Sequence, residues 1–307
     1  MTSHILRRSS LARGAALASV LTFASRSVQA QSWAPVEQAF GRAGIAQPGD
    51  VMRFNFPRRD LRVTVGDVQV RPAFALGSWV AFKRMPDGQA MAMGDLVLTD
   101  NEINPVISAL QKGGVEQSAL HNHIVGGTPN TMYLHISAHG KEIDIARAIR
   151  RALETTGTPL DTVAAGPAAS FNLDTAAVAK ALGYAGRVNG GVYQVNVARA
   201  ETIMQDGHEV PASMGLTTAI NFQPTGGGKS AITGDFVMIG TEVNPVIRAL
   251  RENGIGVTAV HSHMIGETPR LYFMHFWAND DAVKLARGLS AALAKTNSAK
   301  PTVSKTP

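Results

Sequence analysis

From Val51 to Phe56 and from Leu61 to Val70, apolar and polar residues alternate, the period-two pattern of half-buried strands. Two more strands are predicted at Gly77–Phe82 and Ala90–Thr99. The period then lengthens. Ile103, Val106, Ile107 and Leu110 recur at helical spacing, with Asn104 as the expected cap and Pro105 at the first helical position. Gly113-Gly114 should end that helix. A hairpin follows, Gln117–Val125 and Met132–Ala138, and then a helix from about Lys141 to Leu153. A short helix at Val36–Arg42 precedes the whole set. Runs of strands interrupted by helices, without strict alternation, predict an α+β fold with antiparallel sheets.

The same succession returns later in the chain at an offset of 140 residues. Gly94-Asp95 reappears as Gly234-Asp235, and Glu102–Ile107 as Glu242–Ile247. Ala119–His123 reappears as Ala259–His263, Thr128-Pro129 as Thr268-Pro269, and His135 as His275. A fixed period over this length signals two copies of one structural unit. The expected organisation is two tandem homologous units, 31–165 and 166–307, joined through a Gly-, Pro-, Thr- and Ala-rich stretch near 156–169.

Residues 1–30 read differently. Arg7 and Arg8 precede an apolar run from Ala15 to Phe23 and then Val28-Gln29-Ala30, the layout of a cleavable export signal, with paired arginines as in twin-arginine leaders. The run is too short for a membrane span. This segment carries four arginines and no acid, so the rest of the chain holds 25 basic against 23 acidic residues and its net charge falls from +6 to +2. The expectation is an exported, periplasmic or secreted protein with no nucleic-acid partner and no membrane span after signal removal. The chain has no Cys, so a metal here would be held by His, carboxylate, backbone or Met.

Six of the nine histidines fall into two H-x-H…H clusters, His121, His123 and His135 in the first unit and His261, His263 and His275 in the second. Side chains two apart on a strand share a face. A hairpin turning near Thr128 would set His121 opposite His135 and His123 opposite Tyr133, bringing three imidazoles together on one side of the ribbon. The same register sends Leu120, Ile124, Met132, Leu134 and Ile136 to the other side, and Val260, Met264, Met274 and Phe276 in the second unit. Three neutral imidazoles suit a divalent transition metal, zinc first, with copper or iron as alternatives, and leave room for a water or substrate. The arrangement looks locally like that of α-type carbonic anhydrases. The competing reading is a His-lined pocket for a small-molecule ligand without metal.

Glu267 and Arg270 occur only in the second unit, where the first has Gly127 and Asn130. His263 and Glu267 make H-x-H-x3-E, part of the cupin motif, and Glu267 with Arg270 are the candidate catalytic pair, as a base and an anion-binding cation. The plainer reading is a solvated loop pair. Glu102 and Glu242 precede predicted helix starts, where a carboxylate interacts well with the helix end; a fourth metal ligand is the alternative. Gly226-Gly227-Gly228-Lys229 lacks the phosphate-loop spacing and reads as a hairpin turn.

Several of these residues together resemble the LppY/LpqO-like family of exported bacterial proteins. They are Arg58 with Arg59-Asp60-Leu61, Ser78-Trp79, Ala119-Leu120-His121-Asn122-His123 with His135, and the second H-x-H with Met274-His275-Phe276-Trp277. The resemblance implies export and a tandem domain, and no particular reaction. Gly127 departs from the acidic residue usual in the family's first-half loop. The expected function is an exported metal-binding protein with a three-His site in each unit, able to support hydrolytic or oxygen chemistry at the second. The alternatives are metal handling without turnover and a metal-free binding module.

Overall fold

The computed structural model describes Met1, residues 32–161 and residues 170–300. The expected export signal lies almost wholly outside the described residues, as does most of the stretch between the repeats. In the first repeat, helix α1 (Ala34–Phe40) leads into β1 (Ile45–Gln47), β2 (Val51–Pro57), β3 (Gly77–Arg84) and β4 (Ala90–Leu98). Helix α2 (Ile103–Lys112) then crosses to β5 (Glu116–His121), β6 (Met132–Gly140) and α3 (Glu142–Leu153). The second repeat has the same order: α4 (Thr175–Leu182), β7 (Arg187–Asn189), β8 (Val192–Ala198), β9 (Thr217–Gly226), β10 (Lys229–Ile239), α5 (Gly240–Glu252), β11 (Gly256–His261), β12 (Leu271–Asp281) and α6 (Ala282–Leu293). Each repeat forms one antiparallel six-stranded sheet, with strand orders β1-β2-β3-β4-β6-β5 and β7-β8-β9-β10-β12-β11. This is the α+β, antiparallel, tandem architecture expected from the sequence.

Alternation along the central strands divides each sheet into two buried faces. On β4, Ala90, Ala92, Leu96 and Leu98 pack with Leu134 and Ile136 of β6 against α1, α2 and α3, around Phe40, Phe54, Phe56 and Phe82. The equivalent face of the second sheet meets α4, α5 and α6 around Phe222, Phe236 and Phe276. Each phenylalanine so buried contributes about 1.5–3 kcal/mol relative to exposure. Helix α3 shows why these segments fold as they do. Its apolar residues line one face, Glu142 and Asp144 sit in its first turn and Arg150 and Arg151 in its last, matching the helix dipole at both ends.

The second face of each sheet is turned toward the other repeat. Met93 of β4 shares a core with Val237, Leu271 and Phe273, while Val97 and Tyr133 share one with Val192, Ala231 and, at its edge, Trp277. From Trp33 onward the chain is one compact unit. Polar contacts tie the seam: Gln223 Nε2 donates to Gln69 O at 2.7 Å, Gln194 Nε2 to Ala73 O at 2.8 Å, and Ser213 Oγ to Pro48 O at 2.7 Å. The layers therefore run helices, sheet, sheet, helices, with a surface between the two sheets that is buried at its centre.

Four local expectations need correction. The stretch Leu61–Val70 is a miniature hairpin of two-residue strands, Thr64–Val65 and Val68–Gln69, because Gly66 with φ +55° turns the chain. Helix α2 starts at Ile103 with Glu102 at its cap position, so Asn104 does not cap; in the second repeat, where the offset makes Asn244 the equivalent expectation, α5 starts five residues before Pro245 and Asn244 lies inside the helix. His121 pairs with Tyr133 and His135 with Ala119, two residues from the predicted register, because the connection turns about Gly127, where Gly127 and Thr128 pair with Val65 and Thr64 of the miniature hairpin; a separate one-residue irregularity follows between Gln117 and Ala119. The face opposite the histidines is also less uniform than expected. Leu120 and Val260 are exposed, and Ile124 and Met264 turn into the inter-sheet clusters. Gly226–Lys229 is the expected tight hairpin, with positive φ at Gly227 and Gly228. Among the described residues no helix is long and apolar enough to cross a membrane.

Candidate metal centre

The face that each sheet turns toward the other carries its histidines. His121 ends β5, His123 lies just beyond it, and His135 sits mid-strand on β6, with His261, His263 and His275 in the same places in the second repeat. All three imidazoles of each repeat do share a face, despite the shifted register. Because the sheets are stacked, the two sets meet. His121 and His261 stack with ring centroids 3.6 Å apart, and His123 lies 3.7 Å from His275 and His135 3.7 Å from His263. These pairs are related by the 140-residue offset, so the repeats are arranged about an approximate twofold axis passing near His121 and His261. The loops following β5 and β11 are clamped the same way: Ser118 Oγ donates to His263 O, and Thr258 Oγ1 donates to His123 O at 2.8 Å.

Two carboxylates complete the cluster. Asp95 on β4 pairs across the sheet with His135, and Asp235 on β10 with His275, so each points at the histidine face. Asp95 Oδ2 is 3.4 Å from His123 Nε2, and Asp235 Oδ2 is 3.1 Å from His263 Nε2. Sequence reasoning noted Gly94-Asp95 and Gly234-Asp235 only as part of the repeat. The available signal was an acid inside an otherwise apolar strand, recurring at the offset. The preceding glycine has a steric reason: a Cβ on Gly234 would lie 1.9 Å from Ala219 O. Gly234 O also accepts a hydrogen bond from His275 Nδ1 at 2.8 Å, which leaves the Nε2 lone pair of that ring available.

The centre is buried and short of partners. His121, His135, His263 and His275 are all under 9% exposed. His121 Nδ1 and the Nε2 atoms of His123, His135, His261 and His263 have no hydrogen-bond partner, and neither do Asp95 Oδ1 and Asp235 Oδ1. The His–Asp approaches are close in distance but not aligned as hydrogen bonds. His275 Nε2 faces only another ring nitrogen, His121 Nε2, at 3.1 Å. Burial, reinforced at His121 by the neighbouring imidazoles, holds all six histidines below their usual pKa, so they stay neutral. Burial raises Asp95 and Asp235 against the opposing pull of the histidines. Unpaired buried polar atoms ordinarily cost about 1–3 kcal/mol each, so a cluster of them calls for an explanation.

Donor spacing supplies one. One atom each from Asp235, His261, His263 and His275 lies within 4.8 Å of the others, and the same holds for His121, His123 and His275 and for His121, His135 and His261. Two ligands bound to one metal at about 2.0–2.1 Å are themselves about 3–3.4 Å apart, the range of the His121–His275 and His263–Asp235 approaches. Ring packing fixes the imidazole planes: His123 stacks on Tyr133 at 3.5 Å and His263 on Phe273 at 3.3 Å. The residues present therefore fit a transition metal ion in donor type, protonation state and spacing.

A family model described as Domain of Unknown Function (DUF1259) matches the sequence twice, over residues 34–155 and 176–295. The chain belongs to this family. Its two matches coincide with the two sheets and their helices, each contributing half of the histidine centre. No curated protein is similar to the chain at a significant level. Among solved structures the chain is similar to a trimeric bacterial microcompartment shell protein, PduB, at 14% identity over 82% of this chain and 89% of that one, with a TM-score of 0.22. It is similar also to EtuB from Clostridium kluyveri, at 10% identity over 82% and 89%, with a TM-score of 0.20. Likenesses this distant carry no argument about fold or function.

The remaining candidates sit outside the cluster. Glu102 and Glu242 are structural. Arg58 donates to both oxygens of Glu102 at 2.7 and 3.0 Å, and Arg199 to those of Glu242 at 2.6 and 3.1 Å. Glu267 belongs to none of the three donor groups. Far from being solvated, its side chain is fully buried. Oε1 accepts from Leu271 N at 2.8 Å and lies 3.6 Å from Arg270 Nε, while Oε2 has no partner. Arg270 is half exposed. In the first repeat a Cβ at Gly127 would press on Val63 at 3.3 Å, so the loops differ in packing as well as charge.

Proposed function

We propose that this chain is an exported metal-binding protein whose metal centre lies between its two repeats, at the six histidines with Asp95 and Asp235. The observation that carries the reading is the set of five imidazole nitrogens and two carboxylate oxygens that are buried, convergent and without partners. A sugar or anion pocket would need volume, and here the rings fill the space by stacking on one another. An all-N,O donor set with neutral imidazoles favours zinc, with copper(II) or iron(II) as alternatives. When bound, such an ion supplies Lewis acidity and lowers the pKa of a coordinated water. Around it, Asp95 and Asp235 would neutralise charge, Gly234 O would orient His275, and Tyr133 and Phe273 would hold the second imidazole of each H-x-H.

For turnover, Glu267 with its unpaired Oε2 is our candidate base and Arg270 its adjacent cation; without turnover the same centre serves metal handling. Export is supported by the leader-like residues 1–30, and the LppY/LpqO-like pattern accords with it. Elemental analysis of chain purified from its native compartment, without chelator, tests the reading. At least about one equivalent of a transition metal is expected, given affinities of multi-histidine sites. Less than about half an equivalent, with none gained on incubation with zinc, copper(II) or iron(II), would overturn it.

A further inference from the structure

Resting on that reading, we infer that the centre is dinuclear, and that each ion takes its third histidine from the other repeat. One set is Asp95, His121, His123 and His275; the other is Asp235, His261, His263 and His135. The two are related by the 140-residue offset. Each repeat thus supplies an H-x-H and an aspartate to its own ion and lends its strand histidine to the partner repeat's ion.

Three observations lead here. The second imidazole of each H-x-H lies against the third histidine of the opposite repeat, His123 by His275 and His263 by His135, with centroids 3.7 Å apart, so that each strand histidine is placed beside the other repeat's H-x-H. The approach of His121 Nε2 to His275 Nε2 at 3.1 Å also crosses the repeats. His121, His123 and His275 form a mutual donor group, whereas His121, His123 and His135 do not. A donor group within one repeat does exist, Asp235 with His261, His263 and His275, and it is the competing assignment. It uses His275, whose Nε2 is already directed at His121, and the third donor group, His121 with His135 and His261, again joins His135 to a histidine of the other repeat. Eight protein donors exceed what one tetrahedral ion accepts, and they divide evenly between two.

The arrangement has a functional consequence. Neither repeat can hold metal alone, so the duplication is required for the site, and loss of one strand histidine disables the ion bound mainly by the other half.

The test pairs substitutions in the full-length chain and counts zinc by elemental analysis after dialysis, with thermal melting to establish that each variant is folded. The unsubstituted chain should hold about two zinc ions, each at a three-His, one-carboxylate set. His123→Ala with His275→Ala should remove one ion and leave one, because both changes fall on the same set. His123→Ala with His135→Ala should remove both. Sites confined to single repeats predict the reverse, and that reversal would overturn the inference while leaving the metal reading intact. About one ion in the unsubstituted chain would likewise overturn the dinuclear inference alone. No zinc at all would mean that the underlying reading fails. If an alanine pair melts early, the same pairs as His→Gln, which keep bulk and polarity, are scored by the visible absorption of bound cobalt(II), with the same pattern expected.

Discussion

Two buried polar regions occur in each repeat, and they are built on opposite terms. In the first, Arg58 spends every guanidinium nitrogen on Asp60, Glu102 and Val97 O, and Glu102 also accepts from Thr99 N and Gly157 N. Arg199, Glu201 and Glu242 repeat the knot, with Ile239 N and Asn297 N in the matching places. The second region, the histidine centre, is also buried and equally duplicated, yet five of its ring nitrogens and one oxygen of each aspartate go unpaired. Burial and recurrence therefore do not distinguish structure from function here, but hydrogen-bond satisfaction does. The knots close each repeat upon itself, tying the strand end before the miniature hairpin to the start of the crossing helix. On the proposed reading, the centre is left for an ion that the protein does not itself provide.

That contrast is breakable. The largest effect is expected at a knot: Arg199→Ala leaves the buried Glu242 without its cation, held only by Ile239 N and Asn297 N, and should cost about 3–5 kcal/mol in urea unfolding. It should leave metal content per folded molecule unchanged. His275→Ala should do the opposite. In chelator its stability loss should be well below that of Arg199→Ala, while zinc affinity, read by chelator competition, should fall by at least about a hundredfold, since even outer-shell changes cost about 10–100-fold.

Acid should separate the regions too. The six histidines are held below their usual pKa by burial, so below about 6.5 the unfolded chain binds protons that the folded one refuses. Their contribution is intact above that value and is lost as pH falls. Asp95 and Asp235, raised by burial, act in the other sense but are outnumbered. In the knots, burial would raise Glu102 and Glu201, but hydrogen bonds led by Arg58 and Arg199 bring both below the usual range. Their stabilisation persists above about pH 4.3 and fades only below it. Chelated protein should therefore lose melting temperature between about pH 7 and 5, and added zinc should delay the loss. A flat profile over that range would break the comparison. The smallest effect is expected at Glu267→Gln, which preserves the acceptor for Leu271 N and should change stability by about 1 kcal/mol or less.

Much of this was legible in the sequence, for physical reasons. Alternation located β2 but carried Leu61–Val70 too far as one strand, and the offset of 140 exposed the duplication. Two-residue spacing within each H-x-H was enough to place those side chains on one face. The rest depended on information that a one-dimensional pattern does not hold. The register that sets His121 against Tyr133 belongs to the connection from β5 to β6, whose Gly127 and Thr128 pair with Val65 and Thr64 of a distant hairpin, a contact that the local pattern does not show. Asp95 and Asp235 were hidden because each reaches its histidine through a neighbouring strand. The meeting of the two clusters depends on how one sheet seats on the other, a contact made by Met93, Val97, Tyr133, Val237 and Phe273, which read equally well as ordinary core. Glu102 and Glu242 were ambiguous because their partners, Arg58 and Arg199, lie more than forty residues away.

Anomalous diffraction at the zinc edge, from crystals of the zinc-loaded full chain, tests the central claim most directly. The account predicts anomalous peaks between the two sheets, within about 2.0–2.2 Å of imidazole nitrogens drawn from both repeats. Peaks confined to the exposed surface, or an ordered inter-sheet centre with no anomalous signal, would contradict it.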